Sequence, residues 1–126
     1  MQSTKIGIMS LGDYKARTIA IAKGHYKPAP DEPKIWFHSI KSAASVLSED
    51  NQALLRVIRK HHPESIAALS KLTGRKAGNL SRTLETLERY KIVRLEDVKG
   101  EAVPKRGRPP KKPVVVMDSA SIELVF

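Results

Sequence analysis

The side chains in this sequence with the clearest chemical use lie between positions 75 and 89. They are Arg75, Lys76, Gly78, Asn79, Ser81, Arg82, Thr83, Thr86 and Arg89. Placed on a helix at about 100° per residue, Arg75, Gly78, Asn79, Arg82, Thr86 and Arg89 stand opposite a stripe of Ala77, Leu80, Leu84 and Leu87. Lys76, Ser81 and Thr83 flank that polar set, and Glu85 and Glu88 lie later and to the side. These are the residue types that read double-stranded DNA. Arginine bonds guanine with two donors, asparagine matches adenine, and serine or threonine reaches base edges and phosphates. Gly78 leaves the outer face bare near the helix start, where a recognition helix comes closest to the bases. The solvated face of an ordinary amphipathic helix carries the same residue types, so the neighbouring elements must decide.

A second concentration of charge runs Lys105-Arg106-Gly107-Arg108-Pro109-Pro110-Lys111-Lys112, with five cations and no acid. Its prolines favour extended backbone, and Gly107 removes bulk between two arginines. An extended Arg-Gly-Arg fits a narrow minor groove, where A·T-rich DNA has its most negative potential. Arg106-Gly107-Arg108-Pro109 resembles the AT-hook core. The alternative is a basic loop that touches phosphates only.

The elements that would position these groups follow from periodicity. Leu47, Leu54, Leu55 and Ile58 share a helical face, opened by Ser48 as N-cap with Asn51 and Gln52 near the capping-box position and stopped by Pro63. Ser65 can cap a second helix that turns Ile66, Leu69 and Leu72 inward and ends at Gly74. The third helix spans about 76–90, and Leu72-Thr73-Gly74-Arg75 is the short glycine-containing turn of a helix-turn-helix. The period then changes. Ile92 to Glu96 and Val114 to Met117 alternate as strands around a basic segment, the pattern of a wing. Ile122 to Phe126 reads as a further strand.

Upstream, Lys5-Ile6-Gly7-Ile8-Met9 alternates, and a helix is expected over 14–23, capped by Asp13 and ended by Gly24. Pro28, Pro30 and Pro33 hold the next stretch extended. Ile35-Trp36-Phe37 follows as a short strand and residues 39–47 as a short helix. The expected fold is mainly α with a small antiparallel β-wing (α+β): a winged helix-turn-helix at 48–126, wing about 97–113, preceded by an N-terminal arm at 1–47. Tyr26, Ile35, Trp36 and Phe37 are the arm's candidate contacts to a partner.

Bulk composition agrees with a polyanion partner. In 126 residues, Lys and Arg outnumber Asp and Glu 23 to 13, a formal net charge of +10. No membrane-length apolar run and no signal-peptide core occur, so a cytoplasmic protein without membrane association is expected. With no cysteine there is neither a disulfide nor a thiolate zinc site. His25, His38, His61 and His62 lack ligand-like spacing to Asp or Glu. No catalytic triad, carboxylate pair or phosphate-binding glycine loop is present. The expectation is a protein with no metal, no cofactor and no catalytic residues.

Residues 74–90, through Asn79-Leu80-Ser81-Arg82-Thr83-Leu84-Glu85-Thr86-Leu87, resemble the recognition helix of MarR-type winged-helix regulators. Lys91-Ile92-Val93 stands where that pattern has Gly-Leu-Val. The chain, with Tyr26-Lys27-Pro28-Ala29-Pro30 and Pro33-Lys34-Ile35-Trp36-Phe37, is also similar to small regulators related to DNA-binding antitoxins of type II toxin–antitoxin pairs. That resemblance implies a homodimer on a palindromic operator, autorepression, and neutralisation of a toxin protein by the arm. The long helices that enclose a ligand pocket in full MarR proteins are missing. Three functions therefore compete: a sequence-specific dimeric repressor, an antitoxin whose main partner is a toxin, and an architectural A·T-rich binder led by 105–112.

Overall fold

The computed structural model describes residues 3–98 and 111–126. Contacts divide the chain into two units, Met1–Val46 with Met117–Phe126, and Leu47–Val116. Across the described residues the fold is α+β, with five helices and two small sheets.

The first unit is built on β1 (Ser3–Ile8), whose alternation sends Ile6 and Ile8 into the core and leaves Gly7 on the opposite face. Parallel strands need a long crossover. Here α1 (Leu11–Ala22) and the segment after it make that crossover to β2 (Ile35–Phe37). The cap of α1 is Ser10 rather than the expected Asp13: the Ser10 hydroxyl accepts the Asp13 N–H at 3.2 Å. Asp13 instead lies in the first turn, where a carboxylate suits the positive end of the helix dipole. The helix ends in a Schellman motif, with Gly24 at φ +77° and the His25 N–H reaching Ala20 O at 2.9 Å.

The proline segment is not extended throughout. It turns where the Glu32 N–H meets Ala29 O at 3.1 Å, and Lys5 Nζ holds Asp31 O at 2.7 Å. After β2 comes α2 (Ile40–Val46), which buries Ala43 and Val46. The last strand, β5 (Ser119–Leu124), lies parallel to β1 on the side away from β2, giving the order β2-β1-β5. Residues 3–46, which fall in the stretch 1–47 read from sequence as an arm, therefore form a βαβ unit completed by the C-terminal strand. No local pattern announces that pairing.

The second unit comprises α3 (Glu49–His61), α4 (Ile66–Thr73), α5 (Ala77–Arg89), β3 (Val93–Asp97) and β4 (Lys111–Val115). Ser48 caps α3 through Asn51 N, and Ser65 caps α4 through Ala68 N. Such caps satisfy amide donors that the helix itself leaves free. Leu54, Ile58, Leu69, Leu80, Leu84, Leu87, Ile92 and Val93 form the core. Two residues expected inward are not. Leu72 is 49% exposed and Ala77 is exposed, since α4 buries Leu69 alone and α5 begins at Ala77.

Strands β3 and β4 pair antiparallel, with Val93 opposite Val115 and Asp97 opposite Lys111. Lys91 accounts for the departure from glycine in the turn before β3. It takes φ +61°, its N–H bonds Glu88 O, and the Ile92 N–H bonds Leu87 O. A Schellman motif thus forms with lysine at the position that favours glycine. No helix among the described residues is long and apolar enough to cross a membrane.

Candidate nucleic-acid interface

The α4–α5 connection is cross-linked by side-chain hydrogen bonds. Gly74 takes φ +75°, closing α4 with its N–H on Ser70 O at 2.8 Å. The Ser70 hydroxyl donates to Arg75 O at 2.6 Å, the Thr73 hydroxyl donates to Leu69 O at 2.9 Å, and the Arg75 N–H meets Thr73 Oγ1 at 3.2 Å. Two short hydroxyl side chains therefore bond both backbone groups of Arg75, just past the end of the helix. They also set the direction in which α5 leaves the turn.

From there, α5 buries Leu80, Leu84 and Leu87 and exposes Gly78, Asn79, Arg82, Glu85 and Arg89. Ser81, Thr83 and Thr86 are half-buried at the edges of this face, and Lys76, at the N-cap position, is exposed. Among the described residues, a β-carbon on Gly78 would meet nothing within 4 Å, so their packing does not require glycine there. Among the described residues, the Arg82 guanidinium makes one long contact, from Nε to Gly78 O at 3.5 Å, and the Arg82 carbonyl accepts the Thr86 hydroxyl at 3.1 Å.

Arg75 behaves differently from the free base-contacting arginine suggested by its position. Its Nε and Nη2 both donate to Asn79 Oδ1, at 3.0 and 2.8 Å, and Nη2 also reaches Thr83 Oγ1 at 3.0 Å. Its Nη1 is buried with no partner among the described residues. Arg75, Asn79 and Thr83, spaced four apart, thus form one hydrogen-bonded row along α5.

Glu88 plays a part that the sequence reading missed. Its carboxylate accepts the Leu95 N–H at 2.9 Å and ties the last turn of α5 to β3. An acid in the last turn of a helix and five residues before a strand is the available signal. It reads equally well as a solvated charge.

On the ribbon, Lys111 pairs with Asp97, Lys112 stands opposite Glu96, and Arg94 Nη2 meets Glu96 Oε1 at 2.6 Å. Lys111 and Lys112 are therefore strand residues facing acids, not members of an extended basic loop. Lys105, Arg106, Gly107 and Arg108 lie outside the described residues.

The candidate partner-contact residues of the first unit, Tyr26, Ile35, Trp36 and Phe37, divide in two. Ile35 and Phe37 are buried in the core through β2 and present nothing to a partner. Trp36 and Tyr26 share the Arg17 guanidinium, which lies 5.0 and 5.8 Å from their ring centres. Tyr26 also bonds Glu32, which pairs with Arg17 at 2.9 Å. Among the described residues no group of three or more His, Asp or Glu side chains could hold a metal ion.

No curated protein and no solved structure matches the chain. The HVO_A0114 family model, a family of unknown function, matches residues 46–122, which hold every helix and strand of the second unit. Because that match runs over more than half of the sequence, the chain belongs to the HVO_A0114 family.

Proposed function

We propose that Leu47–Val116 is a winged helix-turn-helix and that the protein is a sequence-specific, double-stranded DNA-binding transcription regulator of the MarR-like kind, acting in the cytoplasm as a dimeric repressor of its own promoter. In this reading α5 enters the major groove. The β3–β4 ribbon, and the basic residues Lys105, Arg106 and Arg108 that precede β4 in sequence, track the backbone or the adjacent minor groove.

One observation carries the reading: α5 leaves a hydrogen-bonded turn with Gly78, Asn79, Arg82 and Arg89 exposed on one face. A bare glycine in a helix costs about 1 kcal/mol relative to alanine. Among the described residues, nothing fills the space beside Gly78. Close approach of a nucleic-acid backbone or base edge supplies the missing reason.

Operator symmetry calls for two copies. The outer edge of β5 supports a second copy as the partner. Every β5 residue is exposed, including Ile122 at 57% and Leu124 at 44%, and the strand carries no Lys, Pro or bulge of the kind that protects free edges.

The second reading, an antitoxin that neutralises a toxin protein through residues 1–47, keeps Tyr26 and Trp36 but not Ile35 and Phe37. The DNA reading is the stronger of the two.

The test is selection of binding sites from random duplex DNA by the full chain, followed by footprinting on its own promoter at stated salt. Arg82→Ala should weaken binding to the selected site by about 1–3 kcal/mol, and binding to random DNA far less. Equal loss on both DNAs would reduce Arg82 to a phosphate contact. Failure to enrich any sequence would refute sequence-specific regulation.

A further inference from the structure

We propose that Arg75 does not read a base but fixes the amide of Asn79, so that Asn79 selects keto bases (guanine or thymine) instead of adenine; this rests on α5 being the DNA-reading helix.

An amide oxygen has two lone pairs. Both on Asn79 Oδ1 are occupied, by Arg75 Nε at 3.0 Å and Nη2 at 2.8 Å. The second Nη2 proton goes to Thr83 Oγ1 at 3.0 Å, and Nη1 is buried. No N–H of the guanidinium remains both exposed and free, so Arg75 lies down along the helix and has nothing to offer a base. Charge-assisted bonds of this kind are stronger than neutral ones. They fix which end of the exposed Asn79 amide faces outward, and that end is Nδ2, a pure donor.

The consequence for recognition follows from the groove edges. Pairing asparagine with adenine uses Oδ1 to accept from N6 and Nδ2 to donate to N7. With Oδ1 held by Arg75, the first half of that pair is closed. Guanine presents N7 and O6, and thymine presents O4, all acceptors that suit an outward NH2 group. Adenine keeps one acceptor, N7, but both it and cytosine place an amino donor where guanine and thymine place a keto oxygen, and there it meets another donor.

The experiment uses the full chain and a randomised duplex library. Base weights are measured for the wild type and for Asn79→Ala, Arg75→Met and Arg75→Lys, with circular dichroism confirming that each folds. The expected result is one position per half-site that prefers G or T, loses its preference in Asn79→Ala, and moves toward A by about tenfold in Arg75→Met. Positions read by Arg82 should stay unchanged. Arg75→Lys, which keeps the charge but replaces the planar fork with a compact ammonium, is expected to fall between the two and preserves the test if the methionine variant does not fold.

An adenine preference at the Asn79 position in the wild type overturns the inference. So does an unchanged G or T preference in both Arg75 variants. A wild type that enriches no sequence overturns the DNA reading itself, and is recognised before any variant is compared.

Discussion

The indole of Trp36 lies so close over Gly7 that a β-carbon on Gly7 would fall 2.3 Å from Trp36 Cζ3. The ring has little freedom to give way. The Arg17 guanidinium sits 5.0 Å from its centre and Tyr14 lies beside it, with ring centres 6.4 Å apart. Gly7→Ala must therefore displace the indole or bend β1, at a cost of about 1–3 kcal/mol in stability. Trp36 is the single tryptophan of the chain, so its fluorescence reports the change directly. A denaturation midpoint and emission spectrum equal to those of the wild type would refute this packing.

Lys91 offers the opposite case, a substitution that should stabilise. A left-handed conformation costs a non-glycine residue about 1–2 kcal/mol, and Lys91 has φ +61°. Glycine removes that cost but adds backbone entropy to the unfolded chain, about 0.5–1 kcal/mol. The net expectation for Lys91→Gly is a gain of about 0.5–1 kcal/mol, read as a higher midpoint in chemical denaturation. Lys91→Val should lose stability, because branching at Cβ aggravates the left-handed clash.

The carboxylate of Glu88 receives the Leu95 N–H at 2.9 Å. Glu88→Gln keeps an acceptor and should cost little. Glu88→Ala removes it and should cost about 0.5–1.5 kcal/mol, the range for one hydrogen bond, with faster amide exchange at Leu95. Equal exchange rates in the two variants would show that the carboxylate does not hold β3.

DNA affinity, in the function proposed, should fall steeply with salt, since each neutralised phosphate contributes a slope of about 0.9 in log K against log salt. Arg89, exposed near the end of α5, is expected to contact phosphate rather than a base. Arg89→Ala should lower that slope by about 1 with base preferences unchanged. An altered preferred sequence would place Arg89 among the base readers.

The outer edge of β5 is the expected seam between two copies. Ile122→Lys with Leu124→Lys places two charges on a strand whose residues are all exposed, so folding should survive while self-association is lost. Light scattering coupled to size-exclusion chromatography measures this. An unchanged dimer mass would move the contact elsewhere.

Local pattern carried most of the second unit. The leucine stripes at 54–58 and 80–87, the serines at 48 and 65 and the glycine at 74 sit where the helices bury, start and stop. Periodicity and capping are properties of a few neighbouring residues, so a sequence displays them openly. Strand-like alternation was equally visible at Lys5-Ile6-Gly7-Ile8 and around Ile122. Which strands pair was not, because alternation marks a strand without naming its neighbour. Only the tertiary structure decided that β5 lies on β1, with Ile6 beside Ile122 and Ile8 beside Leu124. Arg75 and Asn79 show the same limit at the site. Their spacing placed both on the polar side of α5, since a helix sets the direction of each Cβ. What a long arginine bonds at the end of its stem is a three-dimensional matter, and here it bonds Asn79 and Thr83.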